Sequence, residues 1–354
     1  MSSIDSYNTI TKLDTGGILD SIIALPRQID QAFREVRGLE IPQKYAAAKN
    51  IVVTGMGGSA LGGRIIDSLT LSGLRAPLEV FTEISLPKYV NEESLVIVSS
   101  YSGDTAETIS SLKDAIEKKA MVIGVCSGGK LEEILKKEKL PCYVYSPIAN
   151  PSNQPRMGLG YSITSILTIL AKLDFLTLDE TDILRIERRM GEAISEFGPD
   201  SPERKNLAKG LALKLKGKIP VLVASEHLVG VAHAFKNQLN ENSKSFSLLF
   251  DIPEMNHHLL EGLRNPHRAK ELLNFVLLES ELYSDEIKKR YPLTREVIEK
   301  NGVETCIYKL SSEKKLDQIF EVLTLGSFVS LYLAILYDLD PSPIPWVDYF
   351  KSKL

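Results

Sequence analysis

The sequence predicts an α/β protein with mostly parallel sheets flanked by helices, arranged as two similar halves. Three observations carry this reading. From Ile51 onward, short apolar strands alternate with helical segments, the pattern of a parallel sheet covered by helices. Two of these strands run straight into turns of Gly, Ser and Thr: Ile51-Val-Val-Thr-Gly-Met-Gly-Gly-Ser-Ala-Leu-Gly-Gly63 and Leu95-Val-Ile-Val-Ser-Ser-Tyr-Ser-Gly-Asp-Thr105. The same order of elements then returns in the second half, without a tandem repeat of residues.

In chain order, residues 16–36 read as a helical lead-in. Strands are expected at 51–54, 78–82, 95–99, 121–125 and 142–145, and helices at 59–71, 105–118 and 129–137. Ser146-Pro-Ile-Ala-Asn-Pro-Ser-Asn-Gln-Pro-Arg156 reads as the crossing between domains, which are expected at 1–150 and 151–354. A long apolar helix follows from Tyr161 to Leu176, then an amphipathic, charged one at 179–197. Gly198-Pro-Asp-Ser-Pro202 breaks the chain, with Ser201 expected as an N-cap and Pro202 at the first helical position. The second set of strands is expected at 219–224, 246–250, 273–278 and 304–309, and its helices at 227–239, 284–300 and 314–338.

Length and composition fit two soluble-type domains with full cores: 354 residues, 44% hydrophobic and 25% charged. A formal charge of −4 and the lack of a dense Lys/Arg run argue against nucleic acid as a partner. Cys126, Cys142 and Cys306 are odd in number and far apart in sequence, so neither a zinc knuckle nor a disulfide framework is indicated, and a reducing cytoplasm is expected. The opening Met1-Ser-Ser-Ile-Asp-Ser-Tyr7 has neither a basic nor an apolar region and does not read as a signal peptide. Val322 to Tyr337 is uncharged but short of the ~20 residues that span a bilayer. A buried helix is expected there, and no membrane partner.

A strand that ends in glycine, hydroxyls and a helix N-terminus is a ready anion site. In Gly55-Met-Gly-Gly-Ser59 the glycines allow a ligand to approach the backbone; a tight turn for helix–strand packing explains them equally well. Ala60 stands where a dinucleotide fingerprint has its third glycine, a place that sometimes takes alanine, and no acidic residue ends the next strand convincingly, although Glu83 lies near, so a nicotinamide reading is poorly supported; no Gly-Lys-Ser/Thr follows, so the P-loop reading fails. Ser99-Ser-Tyr-Ser-Gly-Asp-Thr105 holds four Ser and Thr hydroxyls, and a capping turn alone needs one. Arg156 at the crossing fits either an anionic intermediate or a surface carboxylate. Glu241, between Asn240 and Asn242 at a helix end, opposes the macrodipole there. His257 and His258 make a poor metal pair; either fits an acid/base near pH 7 or an incidental imidazole. His227, His233 and His267 read as structural, and no metal or cofactor is signalled.

Taken together and in order, five segments resemble the bifunctional phosphoglucose/phosphomannose isomerase family, which is built from two sugar-isomerase (SIS) domains. They are Gly55-Met-Gly-Gly-Ser59, Ser100-Tyr-Ser-Gly-Asp-Thr105, Gln238-Leu-Asn-Glu-Asn-Ser-Lys244, Pro253-Glu-Met-Asn-His257 and Asp340-Pro-Ser-Pro-Ile344, the last followed by Lys351. The first two occur in all SIS proteins, regulators included, and the last three are more specific. The resemblance implies that Ser100, Ser102 and Thr105 hold a sugar phosphate and that Gly57, Gly58 and Ser59 line the sugar site. It implies that Glu241 moves the proton, that His257 opens the ring from across a dimer interface, that Arg156 sits by an enediolate, and that Ser342 and Lys351 reach substrate. The implied activity interconverts glucose or mannose 6-phosphate with fructose 6-phosphate through a cis-enediol, in a homodimer, without a cofactor. This chain departs from the family's usual residues at Ala234, Ser243, His258 and Ser342. A non-catalytic sugar-phosphate-binding regulator is the main rival. It would keep the hydroxyl turn without needing Glu241 or His257, and it would carry a partner or recognition domain.

Overall fold

A computed structural model describes residues 3–5, 7–70 and 73–353. The chain forms two compact units, one of Ala24–Arg188 and one of Met1–Ile23 with Arg189–Leu354. It begins with α1 (Tyr7–Leu13) and α2 (Ile18–Ile23). The Asp14 carboxylate accepts from Ile18 N and Leu19 N at 2.8 and 2.7 Å, so two of the N–H groups that a helix start leaves open are satisfied. α3 (Leu25–Arg37) follows at once, with Pro26 in its first turn. The single lead-in expected over 16–36 is therefore two helices. Pro26 lacks an N–H and cannot continue the preceding turn, but it starts a new helix well.

In the unit Ala24–Arg188, β1 (Asn50–Thr54), α4 (Gly58–Thr70), β2 (Leu78–Phe81), β3 (Ser94–Ser100), α5 (Ala106–Glu117), β4 (Met121–Cys126), α6 (Gly129–Lys137) and β5 (Cys142–Val144) alternate. Residue 71, the expected end of the second of these, lies outside the described residues, as do residues 1, 2 and 6 of the opening. The five strands are all parallel, in the order β2-β1-β3-β4-β5. Val52, Val96, Val98 and Val122 pack with Leu112 of α5 and Leu131 and Leu135 of α6. The alternate residues face the other way, where Gly63 of α4 lies close to Val53. Every residue of β3 is buried, as expected of a central parallel strand covered on both faces. α7 (Leu159–Lys172) is buried from Leu159 to Leu170 and packs against α3 and α4. Each buried Leu, Ile or Val in these layers contributes about 1.5–3 kcal/mol. α8 (Glu180–Phe197) runs across the boundary between the units.

The other unit continues with α9 (Leu207–Leu215), β6 (Ile219–Ala224), α10 (Val229–Asn242), β7 (Leu248–Asp251), α11 (Leu259–Gly262), α12 (Ala269–Leu272), β8 (Leu273–Glu279), α13 (Asp285–Lys300), β9 (Glu304–Lys309), α14 (Lys315–Leu336) and α15 (Pro345–Lys351). Its strands are parallel in the order β7-β6-β8-β9, the same winding as β2-β1-β3-β4. The expected cap at Ser201 is instead supplied by Asn206. Its side chain accepts from Lys209 N at 3.0 Å and donates to Phe197 O and Gly198 O, closing two helix ends at once. Lys209, fully buried, reaches Asp5 Oδ1 at 2.9 Å and so fastens the start of the chain into this unit. α14 is long and apolar enough to cross a membrane, yet every residue from Asp317 to Leu336 is buried, with α9, α10 and α2 among its neighbours.

Candidate functional site

The hydroxyl-rich turns sit side by side because β1 and β3 are neighbours and run in the same direction, with Thr54 paired to Val98. Both turns leave the carboxyl ends of their strands and enter helices, α4 at Gly58 and α5 at Ala106. The Ser59 hydroxyl accepts from Tyr101 N at 2.8 Å, joining the two turns directly. Ser100, fully buried, donates to Thr105 Oγ1 at 3.1 Å and accepts from Gly103 N at 3.1 Å. Ser102 is exposed and accepts from Asp104 N at 3.3 Å. Gly103 has φ +76°, and a Cβ there would lie 1.8 Å from Gly128 O, so no other residue allows this turn. Gly57 is exposed at φ +51°, and Gly58 is half-buried.

Arg156 joins this group. It sits in a 3₁₀ turn, Pro155–Met157, buried to 1% exposure, and donates from Nη1 to Gln154 Oε1 at 2.7 Å. A Cβ on Gly58 would stand 2.9 Å from the Pro155 carbonyl carbon and 3.1 Å from Arg156 N. The arginine turn therefore rests on the start of α4. A guanidinium stays charged at any ordinary pH, and this one is held rather than free to wander. Gly57, Gly58, Ser59, Ser100, Ser102, Thr105 and Arg156 are thus brought together within the unit Ala24–Arg188.

Tyr101 is the residue that sequence reasoning passes over. Its phenol accepts from Asn150 Nδ2 at 2.9 Å and donates to Asn153 Oδ1 at 3.1 Å, and its ring stacks edge-on to Tyr145. Asn150 Nδ2 also donates to Gln154 O at 2.9 Å, so the hydroxyl turn and the arginine turn share one strut. Burial pushes the Tyr101 phenol up to about 12, which keeps it a neutral hydrogen-bonding group. The signal was its place between two serines of the turn. Cys126 lies beneath the same turn, paired in register with Ser100, and its Sγ is 3.7 Å from that of Cys142 on the next strand. The hydrogen bond with Cys142 holds the Cys126 thiol below its ordinary pKa.

Glu241, His257, Ser342 and Lys351 belong to the other unit. Glu241 is the penultimate residue of α10 and half-buried. Ser342 is buried, while His257, in a 3₁₀ turn after β7, and Lys351, closing α15, are exposed. Lys244 Nζ donates to Asp340 O at 2.9 Å and Pro341 O at 3.0 Å, which draws the Ser342 segment to the end of α10. The turn that corresponds to the hydroxyl cradle, from β8 into α13, is filled from within. Glu226 accepts from Ser284 N at 3.1 Å, and Tyr283 OH accepts from Ser225 N at 3.2 Å. The Glu226 carboxylate thus bonds to the N-cap residue of α13, where negative charge suits the helix dipole. A cavity of about 890 Å³ beside α13 is lined by four acidic and four basic side chains and by none of the expected site residues. Its balanced charge gives it no preference for phosphate.

Residues 44–172 match the SIS domain family, and residues 204–354 match the family described as the bacterial phospho-glucose isomerase C-terminal SIS domain. A protein of Caldicellulosiruptor bescii named bifunctional phosphoglucose/phosphomannose isomerase is 34% identical over 341 residues, covering 95% of this chain and 98% of that protein. The chain belongs to the bifunctional phosphoglucose/phosphomannose isomerase family. Another protein of that name, from Aquifex aeolicus, is 29% identical over 316 residues, covering 89% of this chain and 93% of its own. The two-SIS-domain fold of the family is also that of a hypothetical protein from Thermus thermophilus, with a TM-score of 0.74 at 15% identity, over 95% of this chain and 89% of that one.

Proposed function

We propose that this protein interconverts glucose 6-phosphate and mannose 6-phosphate with fructose 6-phosphate. The observation that carries the reading is the end-to-end similarity to a bifunctional phosphoglucose/phosphomannose isomerase, 34% identical across 95% of this chain. The clustered hydroxyls, helix starts and buried guanidinium of the unit Ala24–Arg188 support it. They suit a phosphate on one side and a developing negative charge on the other.

In this reading Ser100, Ser102 and Thr105 hold the phosphate, and Gly57, Gly58 and Ser59 line the sugar. His257, supplied across a homodimer interface, protonates the ring oxygen as the C1–O5 bond breaks and the O1 hydroxyl gives up its proton, which leaves the open aldehyde. Glu241 takes the proton from C2 while O1 gains one, giving the cis-enediol. The carboxyl then returns its proton to C1 as O2 loses its own, and the ketose results. A general base and a general acid each contribute roughly 10²–10⁴-fold. Arg156 is a fixed positive charge for the enediolate, and Ser342 and Lys351 contact substrate. Glucose and mannose 6-phosphates differ only at C2, which is planar in the enediol, so one site serves both provided that rotation about C2–C3 turns either face to the base. Three free thiols fit a cytoplasmic setting. Coupled assays with all three sugar phosphates test the reading: turnover of both aldoses is expected, and turnover of none overturns it.

A further inference from the structure

Lys244 adopts the left-handed backbone at φ 54°, just past the C-cap of α10. That conformation is disfavoured for any residue with a Cβ, and glycine is the usual occupant of this position. Lys244 Nζ donates to three carbonyls: Asn242 O at 3.1 Å, Asp340 O at 2.9 Å and Pro341 O at 3.0 Å. Three acceptors match the three donors of an ammonium group. Lys244 therefore clamps the last turn of α10, which carries Glu241, to a segment 96 residues further along.

That segment is braced on its far side as well. Asp340 Oδ1 accepts from Ser342 N at 2.9 Å, and its other oxygen accepts from the Thr15 hydroxyl. Gly16 leaves space for Ser342, since a Cβ at position 16 would fall 1.9 Å from Ser342 Oγ. Ser342 is thus set by Lys244 from one direction and by Thr15 and Gly16 from another.

We propose that Lys244 is a positioning residue that sets the spacing of Glu241 and Ser342, and thereby the relative rates for the two C2 epimers. The inference rests on the isomerase reading of the site. The epimers differ only at the carbon whose proton Glu241 removes. A shift between the base and a neighbouring hydroxyl donor therefore weighs on the two aldoses unequally, whereas loss of general stability weighs on both alike.

The test is Lys244→Gly in the full chain, which removes the clamp and relieves the backbone, so folding is retained. Gly16→Ala is its counterpart, pushing Ser342 from the opposite side with the lysine left in place. Each variant is assayed for kcat/KM on glucose 6-phosphate and on mannose 6-phosphate, with a thermal melt alongside. We expect the ratio of the two to move by at least about fivefold in Lys244→Gly, the scale of one lost hydrogen bond. Its melting temperature is expected to stay level or rise. A ratio within about twofold of the parent in both variants, with the parent active, overturns the inference and leaves the isomerase reading intact. A parent that turns over neither aldose overturns both.

Discussion

Ser59 joins the two turns through one oxygen, and that makes it a sensitive residue. Its hydroxyl satisfies the N–H of Tyr101, which is buried beside the cradle. Ser59→Ala is expected to cost about 1–3 kcal/mol in a urea melt, the penalty for an unsatisfied buried donor, and to weaken binding of the sugar phosphate. Glu241→Gln keeps the size of the side chain and loses its basicity. A fall in kcat of at least about 10²-fold with nearly unchanged substrate affinity is expected; near-parental turnover would remove Glu241 from its role. The hydroxyls of Ser100, Ser102 and Thr105 were legible because the turn holds more of them than a cap requires. Tyr101 and Gln154 were not, because a tyrosine at a strand end reads as core and a glutamine in a loop reads as solvated. Only the packing of Gly58 against the Pro155–Arg156 backbone gives them neighbours that matter. Cys126 and Cys142 are a similar case: 16 residues apart in the chain, they meet because β4 and β5 pair.

Among the elements, strands were the most legible, since buried parallel strands announce themselves as apolar runs with turns behind them. Helix ends were harder. Asn206 displaced Ser201 as a cap because its amide also closes the carbonyl end of α8, a tertiary gain that no local pattern displays. The turn between β6 and α10 carries His227, buried to 1% exposure, with Nε2 2.8 Å from Gln318 Oε1. Desolvation lowers its pKa below the ordinary 6.5, partly offset by the bond to Gln318. The unfolded chain therefore binds the proton first as pH falls. The contribution of this histidine is intact above 6.5 and lost as pH drops from there through the lowered folded value. Urea midpoints measured from about pH 7.5 to 5 should decline over that window, and the slope should flatten in His227→Gln. An unchanged slope would mean that other groups govern the decline.

At the scale of the whole molecule, both sheets wind alike, with β1 and β6 inside and their successors on either hand. This recurrence was legible from element order alone, since the second half keeps the sequence of strands and helices while sharing few residues with the first. The difference between the halves was not legible. The first carries a turn rich in Ser and Thr hydroxyls, whereas in the second Glu226 and Tyr283 bond across the corresponding turns. A ligand that binds only the folded state stabilises it by mass action. Glucose 6-phosphate at about a hundred times its dissociation constant should therefore add about 2.7 kcal/mol to the unit that holds it. Inorganic phosphate should give a smaller shift of the same sign, and sulfate-free melts with neither anion set the baseline. No shift with the sugar phosphate would count against the cradle.

The membership of Met1–Ile23 in the same unit as Arg189–Leu354 has a bearing on biosynthesis. Ala24–Arg188 is one continuous stretch of chain and is free to mature as a unit during translation, whereas the other unit is assembled from two separated stretches. The residues ahead of Ala24 wait instead: Asp5 for Lys209, and Thr15 for Asp340, 325 positions later. A fusion placed just ahead of Asp5 therefore adjoins residues that settle only after the stretches carrying Lys209 and Asp340 have been made.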